Sequence, residues 1–548
     1  MNQSHSTSSS NRRNLIYIAT GLAITIAALM LRIYQIGQDE LWFDEAFSFY
    51  MVTISKWPDA LLRDNNPPFY YVLLRAWIGI FGQSEAAIRS LSAISGALFV
   101  AAMFWLTNQF FDRGAALLCG IFSALAPIQI YYSQEARVYA LLLLFIVLAY
   151  ATLLRGLATD SLRWWVLFSV CVLLALYSHY FAILALIPTV VLIGLWPHPE
   201  KSPRVWLRYS ISAGIALLLF APWLIWTVPK ISESLATIDW IRDLWMQTGP
   251  LLALPKSIEG FTLGSQAEFT SLINVKRFGE LLFPQSLRLV GLTAAAILLM
   301  ATMIPRHSGS NLRPWGSITV WLWITLLFPL LGLCAVSFYR PIYAVGRYDI
   351  LAFPAYALLL ASGWSRLRDG GKIGAFLAAF VALALFIPVG VKLVKYYSAP
   401  PDDYARPTAR ALLEYVRNQD VLVLSRSRAK TTIYYLIRMG YRWEDGTCND
   451  GAAGHKFTCL MFPPDSPLPV AAATGSKHVF SVEDWSRKLL GQLQSTDGVL
   501  WMVFDGDILP DGRLQARRPL STLIKLFESS RFRAVPIDSE YGIVEFQR

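Results

Sequence analysis

The sequence predicts a polytopic α-helical membrane protein that ends in a small α/β domain. Of its 548 residues, 55% are apolar and only 16% are charged, whereas soluble domains carry roughly 25% charged residues. Long apolar runs recur between residues 15 and 393, and most approach the roughly 20 residues that a spanning helix needs. Beyond residue 395 the apolar runs shorten to strand length. The chain is therefore expected to cross a membrane several times before it forms the C-terminal domain.

We predict about eleven spans, and charge supports the prediction. Lys and Arg gather in every second loop, while most loops between them are acidic, which is the positive-inside pattern. The N-terminus is therefore expected in the cytoplasm of a cell (inner) membrane protein, and an odd number of spans places the C-terminal tail outside. The net charge of +11 follows from the basic loops, so no nucleic-acid partner is predicted. The runs lie near 15–34, 88–108, 115–131, 138–154, 164–178, 180–196, 207–228, 287–305, 316–338, 348–364 and 373–393.

Three regions follow from this division. Residues 1–14 are a Ser- and Asn-rich cytoplasmic segment expected to be disordered, residues 15–395 form the transmembrane domain with a first external loop at 35–87, and residues 396–548 form the extracytoplasmic domain. The tail contains no glycine-rich phosphate loop or nucleotide fingerprint. Its predicted elements are a helix at 403–419, strands at 420–425 and 497–505, a helix at 520–530 and a strand at 541–547. In an oxidising compartment its two cysteines, Cys448 and Cys459, could form a disulfide.

An acidic stretch, residues 37–50, follows the first apolar run and is the leading candidate for chemistry. A carboxylate at a membrane surface among large apolar side chains is hard to desolvate, which favours a functional role. Asp44 could take a proton from an acceptor hydroxyl as a general base. Glu45 could help bind a metal or orient Asp44. The alternative is that both are solvated residues at the start of an interfacial helix.

Two further motifs lie in predicted external loops. The first is the turn at Asn66, where Asn65-Asn66-Pro67-Pro68 forms either a rigid corner beside the acidic pair or a plain turn. The second is YYSQEARVYA, residues 131–140. In it Glu135 could bind a metal or the acceptor, and the guanidinium of Arg137 suits a phosphate. Tyr139 adds an aromatic hydroxyl. The alternative is a local Glu-Arg pair within an aromatic belt.

The last candidates lie at two other helix ends. His179 could be a metal ligand or an acid–base group, or simply a hydrogen-bonded residue at the interface. In RPIYAVGRYDI, residues 340–350, either Arg347 or Arg340 could neutralise a phosphate near Tyr348, or both arginines could merely snorkel. All of these motifs are predicted on one face of the membrane.

Several stretches together resemble a known family: LWFDEAFS, NNPPFYYVLLRAWIGIFGQSEAAIRSLSAISG, YYSQEARVYALLLL, YSHYFA and VGRYDILAFP. They resemble the glycosyltransferase family 39-like membrane transferases of GT-C fold, which are relatives of protein O-mannosyltransferases and of the lipid A aminoarabinose transferase. The resemblance covers roughly residues 15–390. The family's Asp-Glu pair matches Asp44-Glu45. Where the family has His-Pro-Pro, this chain has Asn66-Pro67-Pro68.

The resemblance implies a glycosyltransferase that uses a sugar carried on a polyprenyl (undecaprenyl) phosphate, so a nucleotide site is not needed. Transfer to an extracytoplasmic lipid, glycan or protein would invert the anomeric carbon. Asp44 would deprotonate the acceptor, and Arg137, Arg347 or a divalent cation (Mg²⁺, Mn²⁺ or Zn²⁺) would stabilise the departing phosphate. Family members differ in metal dependence, so the metal stays open.

Two other classes compete with this interpretation. A polyprenyl-linked sugar flippase or transporter would more often show mid-helix charges and broken helices in repeated halves, and neither pattern is visible. A receptor or scaffold would act through its tail. The sugar, the acceptor and the oligomeric state are not readable from the sequence.

Overall fold

The computed structural model describes residues 2–53, 61, 66–196, 202–234, 239–264, 284–305, 315–401, 404–444, 447–450, 456–462, 499–503, 506–508, 514–516, 533–538 and 543–547. The chain divides into two compact units. The transmembrane unit contains residues 1–36, 58–80 and 86–400, and the second unit contains residues 37–57, 81–85 and 401–548. Each unit is described in turn.

In its described part, the transmembrane unit consists of helices joined by turns and loops. Most of its described core is one large cluster of apolar side chains, which includes most of the helix at 353–368. In order, the helices that begin between residues 2 and 371, including one from the second unit, are α1 Asn2–Ile33, α2 Phe43–Thr53, α3 Phe69–Phe81, α4 Glu85–Phe110, α5 Arg113–Leu125, α6 Pro127–Ser133, α7 Tyr139–Thr159, α8 Leu162–Ser178, α9 Ala182–Leu186, α10 Thr189–Leu195, α11 Ser202–Ser234, α12 Asp239–Leu263, α13 Gln285–Ala301, α14 Trp315–Ser337, α15 Phe353–Arg368 and α16 Gly371–Ser398.

Every predicted apolar run is helical in the described residues. Seven helices are long and apolar enough to cross a membrane, and the bent pair α5–α6, with a 57° break, raises this number to eight. The runs predicted near 164–178, 180–196 and 287–305 correspond to shorter apolar helices. The polytopic helical class is confirmed, whereas the predicted number of about eleven spans stays a prediction.

Close packing and the buried side chain of Arg32 both stabilise this unit. A Cβ at Gly363 in α15 would lie 1.8 Å from the carbonyl oxygen of Leu298 in α13, so only glycine permits this approach. The first helix is largely exposed, yet its Arg32 side chain is fully buried. Arg32 donates hydrogen bonds to the Ser133 hydroxyl (3.0 Å) and to the Ala124 carbonyl (3.2 Å). Arg32 thereby ties α1 to the end of α6, where the loop with Arg137 begins.

The second unit is an α/β domain built around a seven-stranded mixed sheet. The strand order is β2-β3-β4-β1-β5-β9-β8, with β1 parallel to both β4 and β5 and the other pairs antiparallel. The elements are α17 Ala405–Tyr415, β1 Val421–Ser425, α18 Arg426–Arg438, β2 Tyr441–Glu444, β3 Thr447–Asp450, β4 Lys456–Phe462, β5 Leu500–Val503, β6 Gly506–Ile508, β7 Leu514–Ala516, β8 Arg533–Asp538 and β9 Ile543–Gln547, and β6 and β7 form a separate ribbon.

The predicted tail elements are largely present. The helix at 403–419 and the strands at 420–425, 497–505 and 541–547 are confirmed as α17, β1, β5 and β9. The helix predicted at 520–530 lies outside the described residues. The prediction lacked α18 and the strands β2, β3, β4, β6, β7 and β8. The cysteines predicted as a conditional pair are buried on β3 and β4 as free thiols, with their sulfur atoms 3.2 Å apart.

Part of the segment that was predicted to be the first external loop folds into this second unit. The Glu40 carboxylate accepts hydrogen bonds from the backbone N–H groups of Tyr404, Ala405 and Arg406. These groups open α17 and have no partner within the helix, so Glu40 caps a helix more than 360 residues away. Arg406 in turn donates to the Glu85 carboxylate at 3.0 Å. Residues 37–57 and 81–85 are therefore integral to the C-terminal domain.

Candidate active site

A narrow cavity of about 30 Å³ lies in the transmembrane unit and gathers side chains from four separate segments. Most of its wall is polar or aromatic, which is unusual for the interior of a membrane-spanning core. The lining residues are Asn66, Pro67, Tyr70, Tyr71, Arg137, Val138, Tyr139, Ser178, His179 and Tyr348. Five of the residues singled out from the sequence therefore share one cavity.

The loop between α6 and α7 carries Arg137 into the cavity wall. Both backbone polar groups of Arg137 are hydrogen-bonded. Its N–H donates to the Glu135 carbonyl (2.8 Å), and its carbonyl accepts from the Ser92 hydroxyl (3.1 Å). The Arg137 side chain is half-buried. Tyr139, two residues on, is almost fully buried at the start of α7. The loop thus presents a guanidinium and a phenol side by side.

Arg347 adds a second guanidinium beside this cavity. Its Nε–H donates to the Tyr139 hydroxyl at 2.7 Å, and its guanidinium carbon lies 5.8–5.9 Å from the ring centres of Tyr139 and Tyr348. Gly346 precedes it with a φ of 75°, a conformation that glycine adopts without strain. The Tyr132 hydroxyl donates to the Gly346 carbonyl, which fixes the turn. Arg347 is therefore positioned before any ligand arrives.

The Arg347 turn is also held from within. Asp349 is fully buried, and its carboxylate accepts from the backbone N–H groups of Gly346 and Arg347 and from the Ser257 hydroxyl. A buried carboxylate needs several such donors. Asp349 is a positioning residue that the sequence analysis did not single out. The signal that could have revealed it is a lone acid at the start of an apolar run, immediately after the Gly-Arg-Tyr turn.

His179 lies at the end of α8 against the rings of Tyr139, Phe181 and Tyr348. Its ring centre is 5.1 Å from that of Phe181 and 5.6 Å from that of Tyr348, and its Nδ1 accepts the Phe181 backbone N–H at 3.2 Å. Burial, together with the positive charges of Arg137 and Arg347, lowers the pKa of His179 to about 3. The imidazole is neutral at pH 7, and the bond to Nδ1 assigns the proton to Nε2, leaving a hydrogen-bond donor.

Together these side chains supply the positive charge and the hydrogen-bond donors that an anion would need. Two guanidinium groups supply positive charge, and the His179 N–H, the tyrosine hydroxyls and the Asn66 amide supply neutral donors. Glu135 is buried beside Tyr131, and it is not among the residues that line the cavity. Within the described ranges, no group of three or more His, Cys, Asp or Glu side chains could hold a metal ion. The cavity does not bring Glu135 and His179 together, and a role for a divalent cation stays a prediction.

Asp44 and Glu45 lie in the second unit, in the first turn of α2. Glu45 is fully buried, and its carboxylate accepts the backbone N–H of Trp42 at 3.3 Å, the arrangement of a capping box at a helix start. Asp44 is half-buried, and its carbonyl accepts the Ser48 hydroxyl at 3.0 Å. The helix-capping alternative thus applies to Glu45. The general-base role of Asp44, the preceding residue, stays a prediction.

The neutral state of His179 can be tested directly. In spectra of ¹³C-labelled histidine, the signal that disappears in His179→Asn should stay that of a neutral ring as the pH falls from 8 to 5. Because the folded pKa of about 3 lies below the ordinary histidine value of 6.5, the unfolded state binds the extra proton between these values. Protonation of His179 in the unfolded state therefore costs the fold nothing above about pH 6.5. It lowers the free energy of unfolding progressively as the pH falls from 6.5 toward 3. A ring that titrates near 6.5 in the folded protein would contradict this environment.

Comparisons with known proteins bear on the same region. Residues 65–226 match the family model described as dolichyl-phosphate-mannose-protein mannosyltransferase. The structure is similar to ArnT from Cupriavidus metallidurans bound to undecaprenyl phosphate, with a TM-score of 0.55, 15% identity and 97% of each chain covered. The apo state of that protein gives a TM-score of 0.55 at 14% identity, with 98% of each chain covered. The chain has the GT-C fold.

A second solved structure has a similar core. The oligosaccharyltransferase AglB from Archaeoglobus fulgidus, in complex with an inhibitory peptide and a dolichol-phosphate, matches at a TM-score of 0.50 and 14% identity over 77% of this chain. The chain spans 64% of the length of that archaeal protein. Comparison with curated protein sequences gives no match. The family match over residues 65–226 and the GT-C fold are those expected of a membrane glycosyltransferase.

The structure brings together some of the predicted site residues of this GT-C protein and not others. Asn66, Arg137, Tyr139, His179 and Tyr348 line the cavity, and Arg347 lies beside it, whereas Arg340 is exposed. Three lining residues were not predicted as site residues: Tyr70, Tyr71 and Ser178. The two tyrosines directly follow the Asn-Pro-Pro corner, so their proximity to Asn66 along the chain was the available signal.

Proposed function

We propose that this glycosyltransferase moves a single sugar from a polyprenyl phosphate, undecaprenyl phosphate in a bacterial membrane, to an extracytoplasmic acceptor. The observation that carries the proposal is the cavity that pairs Arg137 with the adjacent Arg347 inside a GT-C core. Two guanidinium groups near the ends of apolar helices suit a lipid phosphate. The undecaprenyl phosphate bound to ArnT and the dolichol-phosphate bound to AglB are ligands of the same chemical class.

The proposed reaction is one displacement with inversion. Asp44 takes the proton of the acceptor hydroxyl, whose oxygen forms a bond to the anomeric carbon as the bond from that carbon to the phosphate oxygen breaks. The lipid phosphate leaves with the bonding electron pair, and Arg137 and Arg347 stabilise its charge. Neutral His179, Asn66 and Tyr139 orient the donor. Glu45 acts as a positioning residue that holds the first turn of α2, and no step is assigned to a metal.

We further propose the topology that the charge pattern predicts. The N-terminus lies in the cytoplasm and the domain formed by the tail lies outside, in an inner-membrane protein. The acceptor, whether lipid, glycan or protein, is then reached without crossing the bilayer.

The experiment that tests this function is a transfer assay with a panel of labelled donors. Purified protein in lipid vesicles should release free polyprenyl phosphate and label an acceptor fraction only with polyprenyl-phosphate sugars, and the product should have the opposite anomeric configuration. Nucleotide sugars supplied without the lipid are the control and should give no product. Transfer from a nucleotide sugar, or retention of configuration, would contradict the proposal. Movement of intact donor across the vesicle membrane without any transfer would instead indicate a flippase.

A further inference from the structure

A second and larger cavity, of about 340 Å³, lies entirely within the second unit. This volume falls in the range of about 300–1,000 Å³ that is typical of small-molecule sites. Aromatic side chains form much of its wall: Phe49 and Tyr50 from α2, Tyr434 from α18, and Tyr441 and Trp443 from β2. Flat aromatic faces around a polar opening provide surfaces on which a ring-shaped ligand can stack.

One face of α18 forms the floor of this cavity. Lys430, Ile433, Tyr434 and Ile437 recur at helical spacing and all line it. Tyr434 is fixed in place, because its ring packs edge-on against Phe49 at 4.9 Å and its hydroxyl donates to the Gln83 carbonyl at 2.9 Å. The cavity is therefore preformed by packed secondary structure rather than by a surface loop.

Positive charge is built into the wall. Lys430 is only 4% exposed, and its ammonium nitrogen lies 4.4 Å from the ring centre of Phe47 and 5.1 Å from that of Phe43. An ammonium is hard to bury, and aromatic faces offset part of that penalty. Arg442 on the edge strand β2 adds a second cation to the lining, and none of the described lining residues is acidic. Gln83 and Thr53 add neutral hydrogen-bonding groups.

We infer that this cavity binds an anionic saccharide, a sugar ring that carries a phosphate or carboxylate. The ring would stack on Trp443 or Tyr441, and its anionic group would meet Arg442 and Lys430. A neutral sugar would make no charge-assisted contact with Arg442, and an inorganic anion would leave the aromatic walls in water. For its role this inference rests on the proposed transfer reaction, in which the second unit would hold the acceptor.

Binding can be measured without any donor, by calorimetry on the full chain in detergent or nanodiscs. The probes are glucose 6-phosphate, glucose and inorganic phosphate. Glucose 6-phosphate should bind saturably, and Arg442→Gln and Trp443→Ala should each weaken it by about tenfold or more, as expected for loss of a charge-assisted hydrogen bond or a stacking surface. Arg438→Gln is the matched control, because Arg438 is an exposed cation on α18 outside the cavity. Lys430→Met is a third variant, to be compared only if its unfolding temperature matches that of wild type.

Several outcomes would overturn the inference. They are no saturable binding of glucose 6-phosphate, equal binding of inorganic phosphate, or equal effects of Arg442→Gln and Arg438→Gln. Competition by vesicles distinguishes the sources of the ligand. If vesicles with a phosphorylated glycolipid displace glucose 6-phosphate and vesicles with phosphatidylglycerol do not, the ligand is a lipid headgroup. If neither displaces it, the ligand is a soluble or polymeric saccharide. Equal displacement by phosphatidylglycerol would mean that the cavity binds any anionic headgroup, which would also overturn the inference.

The donor assay keeps this inference separate from the proposed function. If donor-dependent transfer is observed and glucose 6-phosphate does not bind, only the cavity inference fails. If glucose 6-phosphate binds and no polyprenyl-phosphate sugar supports transfer, the proposed function fails while the saccharide site stands.

Discussion

Replacing Asp44 by Asn should reduce sugar transfer by about 10²–10⁴-fold, the range expected when a general base is removed. The amide has nearly the same shape as the carboxylate but cannot accept a proton from the acceptor hydroxyl. Asp44 lies in the first turn of α2, which Glu45 caps through the Trp42 N–H, so the helix should survive the change. The measurement is the initial rate of label transfer at saturating donor and acceptor. The KM for the donor should change little, because Asp44 is assigned to the proton and not to the phosphate.

Glu414→Gln is the control for this experiment. It makes the same carboxylate-to-amide change at an exposed position on α17, within the same unit. Its rate should equal that of wild type. If Asp44→Asn also retains wild-type rates in protein that unfolds at the normal temperature, then Asp44 belongs to the helix start alone and the acid–base assignment is wrong.

Replacing Arg347 by Gln should lower kcat/KM for the donor by about 10²–10³-fold, the loss typical when one preorganised donor to a developing anion is removed. Arg347 is held in place by Tyr139 and by the turn at Gly346, so little reorganisation is needed when the phosphate arrives. Arg347→Lys should recover only part of the activity, because an ammonium keeps the charge but loses the planar fork. Binding of the polyprenyl phosphate product should weaken in both variants.

Arg340→Gln provides a matched comparison seven residues upstream. Arg340 is exposed, and the sequence offered it as an alternative to Arg347. Its replacement should leave donor kinetics unchanged. Equal losses in the two Gln variants would indicate a general electrostatic effect of the membrane edge rather than a phosphate site at Arg347.

The fold was largely predictable from the sequence because hydropathy and length determine where a helix can sit in lipid. All the apolar runs are helical, and the strands at 420–425 and 541–547 lie where alternation and turns indicated them. Long-range contacts were not predictable. Nothing in the sequence around Glu40 indicates that its carboxylate caps a helix that begins at Ala405.

The candidate site was partly predictable for a related reason. Arg137, His179 and Tyr348 were recognised because polar residues at the ends of apolar helices are conspicuous. That they line one cavity depends on how the helices pack, and that His179 is neutral depends on the rings and guanidinium groups around it. Asp349 was missed because its role is to hold a backbone turn, a task that many residue types perform in other proteins.

The grouping of residues 37–57 and 81–85 with residues 401–548 determines how the protein can be cut and recombined. Removing residues 396–548 would remove the N–H groups of α17 that bind Glu40. It would also remove Arg406, which binds Glu85, and Tyr434, which binds the Gln83 carbonyl. Such a truncation would therefore test the stability of the Asp44 segment as much as the function of the tail. A chimaera intended to change the acceptor should exchange all three segments as one module and retain the recipient's helices.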